Sequence, residues 1–135
     1  MTSDNLQLVK RMMAAWEAGD VETIFALMDP EIELTEWPEA FDSKTYRGHA
    51  GVLEAARSWS DAWEWLHNEV DELVESGDHV LVRGRTRGRG RGSRVEVEIP
   101  AFYVYTLREG KAIRMVMFTS EEPALKAAGL SEEAE

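Results

Sequence analysis

The sequence predicts an α+β fold, with helices packed against one face of an antiparallel sheet. Two observations in the pattern support this. Apolar residues recur at helical spacing in three stretches before residue 66, and beyond it alternating runs are separated by turn-forming groups at 76–78, 90–93 and 108–111. The resulting order is helix, helix, strand, helix and then a meander, which is the order of a two-layer domain. A third observation is length. The chain has 135 residues, 44% of them hydrophobic and five of them Trp, enough for one hydrophobic core and too short for two. We therefore expect a single domain over 1–130, with a frayed tail at 131–135.

Each element has a local cause. Leu6, Val9, Met13 and Trp16 mark the first helix, with Ser3 or Asp4 as cap and Gly19 as stop. Asp20 caps a second short helix, which Pro30 is expected to close. In "EIELTEW", Ile32, Leu34 and Glu36 alternate with Glu33, Thr35 and Trp37, as in a strand. Residues 38–47 read as a loop. Val52, Ala56, Trp59 and Trp63 then lie on one face of a long helix through "GHAGVLEAARSWSDAWEW". Beyond Trp65 the chain is extended through the meander, and "SEEPALKAAGL" is a short final helix.

The run "RGRTRGRGRGSR" at 83–94 resembles the arginine-glycine tails that bind RNA. It is better explained as one arm of a hairpin. A two-residue turn at Arg91-Gly92 would set Arg87 against Glu96, Arg85 against Glu98, Leu81 against Phe102 and Val82 against Ala101. Opposite charges would then share one face, while Val80, Val82, Gly84, Thr86, Val95, Val97 and Ile99 share the other. The glycines would let that apolar face approach another sheet or a partner subunit. Base-stacking aromatics are not interleaved with the arginines, so no nucleic-acid partner is expected.

Composition limits the chemistry. The formal net charge of −11 repels phosphate backbones at long range. Cysteine is absent, which removes disulfides, thiolate metal sites and cysteine nucleophiles. His49, His67 and His79 show no ligand spacing with carboxylates, so no metal is expected. No glycine-rich strand-to-helix turn points to a nucleotide, and no cofactor is expected. The start of the chain has no signal-peptide pattern and no apolar run reaches bilayer length, so the expected location is cytoplasmic, without membrane association.

The segments "AAWEAGDVETIFALMDPEIEL", "TYRGHAGVLEAARSW", "VYTLREGKAIRM" and "ALKAAGL", in this order, resemble the SnoaL-like family of the nuclear transport factor 2-like superfamily. The resemblance spans about Leu6 to Leu130. It implies a curved sheet wrapped around the N-terminal helices, a cystatin-like cone with an internal pocket, and commonly a homodimer through the outer sheet face. Here Val80, Val82, Val97 and Ile99 are expected to form that dimer face.

The family includes polyketide cyclases, ketosteroid isomerase and non-catalytic binding modules, so the site must be read residue by residue. Against ketosteroid isomerase, the catalytic carboxylate falls on Glu36. The two oxyanion donors fall on Met12 and Phe102, neither of which donates a hydrogen bond, so that isomerase mechanism is not expected. Glu36 shares parity with Ile32 and Leu34 and is the candidate general acid/base. Met12, Trp16, Tyr46, Trp59, Trp63, Arg83, Phe102, Met115 and Met117 are the candidate pocket residues, suited to a small hydrophobic, flat ligand. Three readings remain: cofactor-independent proton transfer on a polycyclic or polyketide-like molecule, binding without chemistry, and a dimeric interaction module.

Overall fold

The computed structural model describes residues 3–38 and 43–130; the expected frayed tail at 131–135 lies outside them. The elements are α1 (Asp4–Ala18), α2 (Val21–Ala26), β1 (Met28–Glu36), β2 (Lys44–Arg47), α3 (Gly48–Ala62), β3 (Trp63–Ser76), β4 (His79–Gly90), β5 (Glu96–Arg108), β6 (Lys111–Phe118) and α4 (Glu121–Ala127). The six strands form one curved sheet in the order β2-β1-β6-β5-β4-β3. All neighbours are antiparallel except β1 and β6, which run parallel.

The helix starts follow the sequence. Ser3 Oγ accepts from the Leu6 amide, and Asp20 accepts from both the amide and the hydroxyl of Thr23. The Thr23 bonds hold the Asp20 carboxyl below its usual range. Gly19 ends α1 in the left-handed region, at φ 69°. Pro30 does not close α2; it lies inside β1, where the β1–β6 register is irregular between Met28 and Glu33 and a missing N–H is tolerated. Part of the expected loop at 38–47 is an edge strand, β2, with Tyr46 opposite Leu34. The third helix stops at Ala62, so Trp63 starts β3 and does not continue the helical face of Trp59.

The core lies between the inner sheet face and α1, α2 and α3. Val9, Met12, Ile24, Val52 and Ala55 pack there against Ile32, Leu34, Val80, Val82, Tyr103, Tyr105 and Met117. A second cluster lies on the opposite face, where Ala124 and Leu125 of α4, with Ala128 at its C-cap, cover Leu81, Val104 and Phe118. The helices are thus not all on one side, contrary to the expected layout. Periodicity shows that α4 has an apolar side but not which sheet face it will cover.

The arginine-glycine run forms the expected hairpin with a register displaced by two residues. Arg89 faces Glu96, Arg87 faces Glu98, Arg85 faces Pro100 and Arg83 faces Phe102. The loop is longer than two residues. Gly90 N–H bonds to Val95 O, Arg94 N–H bonds to Gly90 O, and Arg94 adopts φ 59°. Arg91 ties this loop to the end of α3, its guanidinium donating to the carbonyls of Ser60 and Trp63. Because side chains alternate with period two, a displacement of two keeps every residue on its expected face.

The surroundings of the apolar face differ from the expected ones. Val80 and Val82 do not belong to an exposed dimer face; they are fully buried against the helices. Val97 and Ile99 share their face but lie farther along the sheet, beyond the helices, and remain exposed. The glycines accommodate the chain's own backbone and side chains. A Cβ at Gly84 would lie 2.0 Å from the Glu69 carbonyl oxygen, where β3 bulges between Val70 and Glu72. At Gly88 it would lie 2.8 Å from the Trp63 ring and from Leu66.

Candidate functional site

Glu36 is the last residue of β1, and its parity with Ile32 and Leu34 turns it inward. The indole N–H of Trp59, from α3, donates to Glu36 Oε2 at 2.5 Å. No hydrogen bond to Oε1 occurs among the described residues. Trp16, from α1, packs beside Trp59 with ring centroids 5.8 Å apart and planes inclined at 53°. The adjacent Trp37 has φ 38°, a conformation rare for a bulky side chain, and packs against the inner core although alternation would send it outward. Strain therefore sits at the residue that follows the carboxylate.

Cross-strand pairing sets the rest of the site. Glu36 neighbours Met117, Met117 neighbours Tyr103, and Tyr103 neighbours Val82. With strands about 4.8 Å apart, the Glu36 and Tyr103 backbones are separated by roughly 10 Å. The Tyr103 hydroxyl donates to Asn68 Oδ1 at 2.9 Å, and the Thr86 hydroxyl donates to the same oxygen at 2.8 Å. The two hydroxyl oxygens are 3.0 Å apart. Burial pushes the Tyr103 phenol up, with the Thr86 hydrogen bond opposing the shift. Beyond this polar cluster the inner face continues through Gly88, Leu66, Val97 and Ile99. The last three are each more than a third exposed, so this end of the sheet is open.

The candidate pocket residues separate into three groups. Trp59 bonds to Glu36, Trp16 packs on Trp59, Met117 is the buried cross-strand neighbour of Glu36, and Trp63 lies against Gly88. Met12, Tyr46 and Met115 are sealed in the core, so they support the site without lining it. Tyr46 in particular is on β2 and not on a loop at the mouth. Arg83 and Phe102 are on the other side of the sheet. Arg83 pairs with Glu72 and with Glu121 of α4, and Phe102 packs with the α4 cluster. Their odd numbering relative to Val82 and Tyr103 is the reason: on a strand, one residue of offset is the whole thickness of the sheet.

The sequence pattern does not single out Asn68, Thr86 and Tyr103, which the fold brings together. The available signal was Thr86, a single hydroxyl on a face otherwise made of Val and Gly. The histidines are all committed elsewhere. His49 stacks on Phe25 at 4.6 Å and contacts Met28 O, His79 contacts Thr106, and His67 pairs with Glu17. Among the described residues no group of three or more His, Cys, Asp or Glu could hold a metal ion, and no helix is long and apolar enough to cross a membrane.

The SnoaL-like domain model matches residues 9–115. The chain belongs to the SnoaL-like family. Three solved structures show how closely its architecture is shared. An NTF2-like protein of unknown function from Burkholderia pseudomallei K96243 superposes with a TM-score of 0.80 at 19% identity, covering 94% of this chain and 98% of that one. An NTF2-like protein from Burkholderia xenovorans LB400 has a TM-score of 0.75 and 30% identity, over 95% and 97% of the two chains. TerC, crystallised with polyporic acid, has a TM-score of 0.78 and 23% identity, over 93% and 98%. A comparison with curated proteins returned no match.

Proposed function

We propose that the inner face of this SnoaL-like domain binds a small, largely apolar molecule carrying a carbonyl or similar oxygen. Glu36 then acts on it as a general acid/base, in cofactor-independent proton transfer on a polycyclic or polyketide-like compound. The observation that carries the reading is the Glu36 carboxylate, turned inward and held through one oxygen by the Trp59 indole. A base fixed through Oε2 presents Oε1 in a defined direction, as proton abstraction requires. The partly buried Trp16 and Trp59 provide apolar surface beside it, with Met117 behind, and the Asn68–Thr86–Tyr103 cluster gives the same face a polar end. TerC, of similar fold, was crystallised with polyporic acid, which is consistent with a ligand of this general size.

Binding without turnover is the second reading. It is favoured by Met12 and Phe102, since the former is sealed in the core and the latter lies across the sheet, so neither position offers a donor for a developing oxyanion. Deuterium exchange separates the two. Polycyclic 1,3-diketones are incubated in D2O with wild type, with Glu36→Gln and without protein, and exchange at the carbon between the carbonyls in excess of the protein-free rate is followed by NMR. Catalysis predicts exchange with wild type and its loss in the variant, while quenching of Trp fluorescence on binding persists. Equal exchange in both proteins would remove Glu36 from the chemistry, and binding without exchange in either would leave a carrier.

A further inference from the structure

Among the described residues, two buried side-chain polar atoms lack a hydrogen bond, Trp16 Nε1 and Arg83 Nε. Arg83 Nε still has a Glu72 carboxylate oxygen 3.3 Å away, so its charge is matched. The Trp16 N–H has no acceptor. A buried donor left unpaired costs more than an ordinary hydrogen bond gains, so a fold that keeps one calls for an explanation. The Trp16 side chain is only partly buried, yet its polar edge is the part withdrawn from solvent. An indole that served packing alone would gain by turning that edge to water.

This donor belongs to the neighbourhood of Glu36. Trp16 packs on Trp59, whose own N–H is committed to Glu36 Oε2. Other donors of the inner face are committed as well. The hydroxyls of Tyr103 and Thr86 go to Asn68, and that of Tyr105 goes to the Met13 sulfur. Met12, one turn earlier on α1, is sealed in the core and has no donor to offer. A single aromatic ring, that of Trp59, therefore stands between the carboxylate and an indole N–H that nothing in the fold satisfies.

We propose that the Trp16 indole N–H donates to the carbonyl oxygen of an enolisable ketone whose acidic carbon faces Glu36. The proposal rests on the acid/base reading of Glu36 and adds the donor that Met12 and Phe102 do not supply. Glu36 takes the proton from the carbon beside the carbonyl, and the C–H electron pair becomes the new carbon–carbon double bond. The carbonyl π pair moves onto oxygen, and the enolate oxygen accepts from Trp16 Nε1. Return of the proton from Glu36 to carbon reverses the flow and frees the carboxylate. A donor already in place acts most strongly once that oxygen is charged, so it lowers the barrier more than it tightens binding.

The test removes the N–H and keeps the ring. Benzothienylalanine at position 16 puts sulfur in place of the indole nitrogen, and Trp16→Phe is a second variant. In both, exchange at the carbon between the carbonyls of a polycyclic diketone should fall about a hundredfold in kcat, with KM within about twofold of wild type. Binding is read separately, from the indole N–H resonances. That of Trp16 should move downfield on adding naphthol and stay in place with naphthalene, in wild type and in Glu36→Gln alike. A Trp16 resonance unmoved by naphthol, or an unchanged kcat in the benzothienyl variant, would overturn the proposal. If wild type gives no exchange above the protein-free rate but the naphthol shift persists, the chemistry of Glu36 fails and the Trp16 contact to a ligand oxygen stands.

Discussion

The two faces of β4 share one backbone and solve different problems. Its inward residues are Val80, Val82, Gly84, Thr86 and Gly88, and its outward ones are Leu81, Arg83, Arg85, Arg87 and Arg89. On the inward side shape decides. Gly84 lies beneath the bulged backbone of β3, Gly88 beneath the Trp63 ring, and Thr86 joins a closed hydrogen-bonded cluster. On the outward side, past Leu81, which α4 covers, charge decides. Arg85 and Arg87 both reach Glu69 and Glu98, while Arg89 reaches Glu64 and Glu96. The same alternation that looked like a nucleic-acid grip is one strand obeying a steric rule and an electrostatic rule on alternate residues. It follows that inward substitutions should be costly and those at the outward arginines Arg85, Arg87 and Arg89 nearly free.

The sharpest way to break this contrast is Gly84→Ala. The added methyl meets a main-chain carbonyl that cannot rotate away, so β3 must separate from β4 at the bulge. We expect a loss of about 3 kcal/mol or more in urea unfolding. Gly88→Ala should cost less, about 1–2 kcal/mol, because its methyl meets side chains that can yield. Its effect should also be visible in Trp fluorescence, since Trp63 is what must move. Equal, small losses at Gly84 and Gly88 would mean that the inner face is not shape-limited.

Alkaline pH tests the inner face without altering its packing. Burial raises the phenols of both Tyr103 and Tyr105 above their ordinary value. A folded pKa above the unfolded one contributes stability that is complete below about pH 10, where the unfolded phenol is still protonated, and is lost as pH rises further. Between the unfolded and folded values each phenol should cost about 1.4 kcal/mol per pH unit. Tyr103→Phe should therefore flatten, and not abolish, the alkaline decline in stability, because Tyr105 remains. An unchanged slope would show that Tyr103 ionises as freely in the fold as in the unfolded chain.

The contrast between faces also explains how much of the molecule could be read in advance. Alternation carried Val82, Arg85, Arg87 and Glu98 to their correct sides even with the hairpin register displaced by two, because a strand repeats every second residue. The displacement itself depended on Arg94 in the left-handed region and on Arg91 reaching Ser60 and Trp63, contacts remote in sequence. Glu36 is singled out by the resemblance to ketosteroid isomerase, and its inward direction follows from the parity it shares with Ile32 and Leu34. Its hydrogen bond to Trp59 was not foreseen, since it requires knowing how α3 crosses β1. Arg83 and Phe102 failed for a simpler reason. Both are large residues suited to a pocket, and their position on the far side followed from parity, which size cannot override.

The smallest expected effect is on the outward face, at Arg87 and Glu98. Their guanidinium and carboxylate are 3.5 Å apart, and each side chain is about half exposed. Such a pair gains little, because water already solvates both charges and two long side chains must be ordered to meet. It is also redundant, since Arg87 has Glu69 and Glu98 has Arg85 as further partners. A double-mutant cycle with Arg87→Gln and Glu98→Gln should give a coupling of about 0.5 kcal/mol, falling further as salt is raised. A coupling several times larger that persists in high salt would mean that the ladder behaves as a cooperative network. The arginines would then hold the hairpin together as firmly as the glycines opposite them.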